Sequence, residues 1–275
     1  MKYRLIFLDL DGTLLNSRKK ISLRTQQAVK KASEKGVMII PATGREISNA
    51  KNVLYDIDPE WLITSNGALI SNLKTGEKIR QIELGKDTIR TILEFSKNES
   101  LYPIFATDEK NYISGNKNRE LYLKYSRVHS DLEIGNMLYI KNRMEWDYYL
   151  NQENEPFRKS LIFDINDKQK KLLKKQFPDG KSPEIIFMSN GSVEINGAGA
   201  TKGNAAAYLT KHLNCLQTQT AAAGDSENDI SLLNFVSAGA VMDNAGDSVK
   251  NVADIILPNS DNDGIAVFLE QYILT

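Results

Sequence analysis

The run Leu5-Ile6-Phe7-Leu8-Asp9-Leu10-Asp11-Gly12-Thr13-Leu14-Leu15 limits the possible folds more than any other stretch. Its unbroken apolar start describes a strand buried on both faces, as in a parallel sheet. Two carboxylates follow at once, and open α/β sheets bind ligands outside the carboxyl ends of their strands. Placing Asp9 and Asp11 there costs desolvation and repulsion. Like charges ~4 Å apart repel by roughly 4 kcal/mol at an effective dielectric of about 20. A cation or a proton offsets that cost, and Gly12 permits the sharp turn that follows. The stretch therefore reads as a strand delivering one nucleophilic or metal-binding carboxylate and a second for proton work. Asp-x-Asp-Gly also occurs in calcium loops and ordinary turns. Against a calcium loop, a strand precedes the acids here and Leu14-Leu15 follows them.

A chain of 275 residues suits one large or two modest domains and can bury a core without staples. Lys plus Arg equals Asp plus Glu at 35 each, so charge offers no case for a nucleic acid or an anionic membrane. No apolar run reaches the length of a membrane span. Asp9 and Asp11 interrupt the only apolar run that a secretory signal could use. The single cysteine, Cys215, allows no internal disulfide, and a cytoplasmic location is expected. His129 and His212 are the only histidines, which disfavours a zinc site. A metal would sit on oxygens, as magnesium does.

Further along, Ser22 can cap a helix carrying Ala28, Val29 and Ala32, with Gly36 as its stop. Val37 to Ile40 is the next apolar strand, so the segment reads as a right-handed βαβ unit. Pro41-Ala42-Thr43-Gly44-Arg45 follows, then a helix over Glu46 to Leu54. Thr43 and Gly44 at that junction suit an anion, or Thr43 is simply an N-cap. Trp61 to Thr64 is a third strand, and Asn66-Gly67 signals a hairpin. From about Gln81 shorter helices and strands alternate, which suggests a separate α+β module. Arg158 and Lys159 lie in this module and either reach the cleft or, as expected for bases, are exposed. The wound pattern is expected to return near Val193. Thr201-Lys202 then opens a helix, and Thr220 to Ala223 is a strand leading into Gly224-Asp225-Ser226-Glu227-Asn228-Asp229. N-capping needs only one of those acids.

Asp-Leu-Asp-Gly-Thr, Ala-Thr-Gly-Arg, Ala-Thr-Lys-Gly and Gly-Asp-Ser-Glu-Asn-Asp, in this order, resemble the four motifs of the haloacid dehalogenase superfamily. The insert between the second and third motifs resembles a C2B-type cap, and the Cof-type phosphatases of subfamily IIB look most similar. The resemblance implies an α/β fold: a Rossmann-like, doubly wound parallel core (1–82 and 190–275) with an inserted α+β cap (83–189). It implies a phosphatase for small phosphorylated metabolites such as sugar phosphates, monomeric or weakly dimeric. Asp9 would be the nucleophile and Asp11 the general acid and base. Asp9, the Asp11 carbonyl and Asp225 would hold Mg2+, with Asn228 and Asp229 in support. Thr43, Gly44 and Lys202 would bind the phosphoryl group, and Arg45 and Asn66 are further substrate candidates. A phosphohexomutase uses the same aspartate pair, and a receiver-like sensing domain without turnover combines similar residues.

Overall fold

The computed structural model describes residues 2–114, 137–152, 156–177 and 182–275. The expected short helix over Glu120 to Tyr125 lies outside them. In chain order the strands and helices are β1 (Leu5–Leu8), α1 (Leu23–Glu34), β2 (Met38–Pro41), α2 (Ile47–Lys51), β3 (Trp61–Thr64), β4 (Leu69–Asn72) and β5 (Lys78–Gln81). They continue as α3 (Lys86–Asn98), β6 (Ile104–Ala106), β7 (Asn111–Ser114), β8 (Met137–Ile140), α4 (Arg143–Gln152), β9 (Lys159–Ile162) and α5 (Asp167–Lys175). Next come β10 (Glu184–Phe187), β11 (Val193–Asn196), α6 (Lys202–His212), β12 (Thr220–Gly224) and α7 (Ile230–Phe235). The chain closes with β13 (Ala238–Met242), α8 (Asp247–Lys250), β14 (Ile255–Leu257) and α9 (Gly264–Phe268). By packing, Met1–Gly44, Ala50–Gln81 and Ala200–Thr275 form one unit; Arg45–Asn49 and Ile82–Gly199 form the other.

The first unit is built on a parallel sheet of order β14-β13-β12-β1-β2. Its first βαβ turn forms as the sequence dictates. The Ser22 hydroxyl accepts the Thr25 N–H, satisfying one of the free donors at the start of α1. Thr25, Ala28, Val29 and Ala32 bury one face of that helix, and Gly36 ends it at φ +81°. At the sheet centre, Ala221 to Ala223 carry so little bulk that the helix pair above can approach closely. A Cβ on Gly203 of α6 would stand 2.1 Å from the Ser231 carbonyl oxygen of α7. β3, β4 and β5 form a separate antiparallel sheet, with the expected hairpin at Ser65–Gly67. One parallel bridge, Ala42 to Ile63, links β2 to β3.

In the second unit a mixed sheet runs β10-β11-β9-β6-β7-β8, and among the described residues β7 and β8 are its only parallel neighbours. This corrects the expected return of the wound pattern near Val193: β11 pairs antiparallel with β9 and β10, and the first unit resumes at Ala200. Its core is aromatic. Phe105 and Trp146 meet edge to face at 5.0 Å between centroids, as do Tyr112 and Phe157. Arg158 and Lys159 are buried, not exposed. The Arg158 guanidinium donates to both Asp108 carboxylate oxygens, Nε to Oδ1 at 2.9 Å and Nη2 to Oδ2 at 3.1 Å. Lys159 pairs with Glu46 at 3.2 Å, which ties α2's leading residues into this unit. Charges this deep remain only because each is paired.

Removing one partner of such a pair costs about 3–5 kcal/mol, while replacing both with apolar groups costs far less. Urea unfolding of Asp108→Ala should show a loss in that range. Asp108→Leu combined with Arg158→Met should recover most of it. A loss below about 1 kcal/mol for Asp108→Ala would match an exposed pair and contradict the buried one.

Candidate active site

Parallel strands bring their carboxyl ends to one edge, and register decides which residues meet there. Leu8 of β1 stands opposite Ala223 of β12, and the Asp9 N–H donates to the Ala223 carbonyl at 3.0 Å. The chain after each strand therefore emerges side by side, Asp9 from β1 and Asp225 from β12. Gly12, at φ +82°, folds the first loop back so tightly that a Cβ there would lie 2.2 Å from Asp225 Oδ2. Gly224 is equally restricted, since its Cβ would lie 2.4 Å from the Asp229 carboxyl carbon. Small residues at these two positions let three carboxylates crowd together. Oxygens of Asp9, Asp225 and Asp229 all lie within 4.8 Å of one another.

Lys202 neutralises part of that crowding. It enters at the first residue of α6, where its charge opposes the helix dipole. The side chain is fully buried, and Nζ stands 2.6 Å from Asp9 Oδ1 and 2.6 Å from Asp229 Oδ1. Burial lowers the affinity of its amine for a proton. Asp229, Asp9 and their hydrogen bonds outweigh that, so its pKa rises above the ordinary lysine value. Asp229 Oδ2 accepts the backbone N–H groups of Asp225 (3.0 Å) and Ser226 (3.1 Å). Asp225 Oδ1 accepts from the hydroxyls of Thr13 (3.4 Å) and Ser226 (3.2 Å). Burial raises the Asp9 pKa well above the usual carboxylate range, against Lys202 and with help from Asp229 and Asp225. Burial, then Asp229, pushes Asp225 up to about 7.

Thr43 and Gly44 lie in the loop between β2 and α2, and Thr43 is buried. The expectation that they open a helix is corrected: α2 begins at Ile47 and is five residues long. Thr43 is held instead by the neighbouring hairpin, its N–H donating to Ile63 and its carbonyl accepting from the Asn66 N–H. Ser65, Asn66 and Gly67 all have positive φ (49°, 56° and 94°), a sharp left-handed turn about Thr43. The fully buried Asn66 accepts a hydrogen bond from Asn228 Nδ2 at 3.1 Å, which joins this turn to the loop after β12. So Asp9, Asp225, Asp229 and Lys202 form one cluster, and Thr43, Asn66 and Asn228 form a chain of backbone and side-chain bonds. Arg45 is buried and packs with the other unit. Asp11 lies on the exposed side of the loop, where Lys19 Nζ approaches its Oδ1 to 2.7 Å. Sequence reading missed Lys19, because nothing in a loop lysine announces a partner eight residues back.

The fold agrees with comparison to known proteins. The profile of haloacid dehalogenase-like hydrolases matches residues 6–269, and the chain belongs to that family. Phosphatase YwpJ of Bacillus subtilis (strain 168) is 27% identical over 98% of this chain and 100% of its own. The 5-amino-6-(5-phospho-D-ribitylamino)uracil phosphatase YcsE of the same organism is 26% identical over 98% of this chain and 96% of its own. Among solved structures, the subclass IIB sugar phosphatase BT4131 superposes with a TM-score of 0.82, covering 99% of this chain and 100% of that one at 23% identity. The parallel core with an inserted mixed-sheet cap region thus matches the fold of that subclass IIB structure, and the chain is a phosphatase of the haloacid dehalogenase-like family. Among the described residues no helix is long and apolar enough to cross a membrane.

The raised acids make stability pH-dependent. For Asp225 the folded-state pKa of about 7 exceeds the ordinary 3.8, so its contribution is present at low pH and is lost as pH rises through about 7. Chelator-treated protein should therefore have a lower urea midpoint at pH 8 than at pH 5.5. Asp225→Asn should flatten that slope and raise the midpoint at pH 8. A wild-type midpoint that rises between these pH values, with the variant unchanged, would contradict the crowding.

Proposed function

We propose that the chain is a magnesium-dependent phosphatase that hydrolyses small phosphomonoesters, sugar phosphates or related metabolites, through an aspartyl phosphate on Asp9. The observation that carries this reading is the buried Asp9 carboxylate at the carboxyl end of β1, fixed by Lys202 at 2.6 Å beside Asp225. The three clustered carboxylates are an all-oxygen donor set and suit a hard divalent cation. Mg2+ would be held by Asp9, the Asp11 carbonyl and Asp225, with Asn228 and Asp229 in support; when bound it supplies positive charge that offsets an incoming phosphate dianion.

The protein's own groups perform the steps. An Asp9 carboxylate oxygen attacks phosphorus as the bond from phosphorus to the ester oxygen breaks. Asp11 gives its proton to the departing alkoxide oxygen. Water then attacks the phosphorus of the aspartyl phosphate, Asp11 takes the water's proton, and the Asp9 carboxylate leaves. Lys202 holds Asp9 in line and, with Thr43 and Gly44, meets the phosphoryl oxygens. The relative YcsE carries a phosphorylated metabolite in its name, which supports the substrate class. The cap region, with Arg45 and Asn66 as core-sequence candidates, would select among such esters.

The test is steady-state phosphate release from a panel of phosphomonoesters, with and without Mg2+, in wild type and Asp9→Asn. The expected result is magnesium-dependent release that falls by at least about 10³-fold in Asp9→Asn. Isomerised phosphate ester without free phosphate would contradict hydrolysis and indicate a mutase. Binding without turnover would contradict an enzyme.

A further inference from the structure

The pair formed by Lys19 and Asp11 has none of the burial that fixes Lys202; their side chains are 43% and 33% exposed. Exposed pairs contribute little to stability. The backbone around Lys19 is nevertheless held in a defined and disfavoured shape. Lys19 has φ +57°, in the left-handed region that side chains with a Cβ avoid. The turn is closed from both sides. Lys19 N–H donates to the Asn16 carbonyl at 2.8 Å, and Asn16 N–H donates to the Lys20 carbonyl at 3.0 Å. The Asn16 side-chain oxygen accepts the N–H groups of Arg18 (3.0 Å) and Lys20 (3.1 Å). The flanks are anchored as well. Ser17 N–H donates to Asp261 Oδ1 at 2.9 Å, and the Ser22 hydroxyl bonds to Asp263. At the other end of the loop, Leu14 and Leu15 donate back to the carbonyls of Asp9 and Leu10, and Asp11 bridges Leu15. The backbones of Asp11 and of the Lys19 turn are therefore each held by their own contacts, which keep the two side chains within reach of one another, and Nζ meets Oδ1 at 2.7 Å.

A general acid must present one oxygen within hydrogen-bond reach of the atom it protonates. A carboxylate on an exposed loop can turn about its side-chain bonds, and each rotation away from that atom loses rate. Lys19 takes Oδ1 at 2.7 Å and so favours rotamers of Asp11 in which Oδ2 is the oxygen presented. We propose that Lys19 is a positioning residue for Asp11: it orients the carboxyl group so that Oδ2 meets the leaving oxygen, and it does not itself touch the substrate. The proposal rests on the reading of Asp11 as the proton donor.

The leaving group separates this role from a structural one. An alkyl phosphomonoester needs a proton as its alcohol leaves, whereas p-nitrophenyl phosphate releases a stable anion without one. Single-turnover alcohol release and steady-state kcat and KM are measured on both esters with Mg2+, in wild type, Lys19→Met, Lys19→Arg and Asp11→Asn, with melting temperatures as the check on folding. Lys19→Met is expected to slow alkyl release about tenfold with KM within about twofold, and to leave nitrophenolate release within about twofold. Lys19→Arg, which keeps a donor, restores most of the alkyl rate. Equal losses of single-turnover alcohol release on both esters, a rise in KM alone, or no change in alkyl release would each overturn the proposal. Asp11→Asn separates the two levels. If it keeps the alkyl rate, the reading of Asp11 fails; if it loses that rate while Lys19→Met does not, only the Lys19 proposal fails.

Discussion

A single ammonium group holds the site together. Lys202 is fully buried and bridges Asp9 and Asp229, which belong to different loops after adjacent parallel strands. An unpaired charge at that depth would unfold the region or lose its proton. Two carboxylates at 2.6 Å prevent both outcomes. They also explain why a lysine is tolerated at the first residue of α6, where the helix dipole disfavours it. In turn, Lys202 is the condition under which Asp9 and Asp229 can be buried near Asp225. If it is removed, three acids face one another, with burial already raising the affinity of Asp9 and Asp225 for protons.

The backbone meets the same demand by omitting side chains. Gly12, Gly224 and Gly203 each lack a Cβ that would overlap a carboxylate or a carbonyl of the neighbouring loop or helix. Dense packing then transmits position from the sheet to the acids. The second unit solves a similar problem differently. It buries Arg158 and Lys159 against Asp108 and Glu46, and Glu46 lies two residues after Gly44. The loop that carries Thr43 and Gly44 is thereby linked in sequence to a buried ion pair in the other unit.

Much of this was legible in the sequence. Four-residue apolar runs ending in Asp9 and Pro41, and the small-residue strand ending in Gly224, gave the parallel sheet and the edge where the acids gather. Other features needed the fold. Val193-Glu194-Ile195-Asn196 alternates with period two, which marks a sheet with unlike faces, not a wound core strand; this signal was present and was outweighed by position in the chain. Arg158 and Lys159 read as exposed because a basic side chain usually is, and only the fold brings Asp108 and Glu46 to them. Asp229 is expected from the sequence to support a metal; only the fold adds that it pairs with Lys202 and accepts two backbone N–H groups. Lys19 carried no pattern, because left-handed backbone at a lysine is a tertiary outcome.

The central claim is that Asp9 becomes covalently phosphorylated, and chemical trapping tests it most directly. Protein mixed with a substrate ester and Mg2+ is quenched within one turnover and reduced with borohydride, which converts an acyl phosphate to the corresponding alcohol. Peptide mass spectrometry then locates the change. The account predicts homoserine at Asp9, formed only when both substrate and Mg2+ are present. Turnover with an unmodified Asp9, or homoserine at another aspartate, would contradict it.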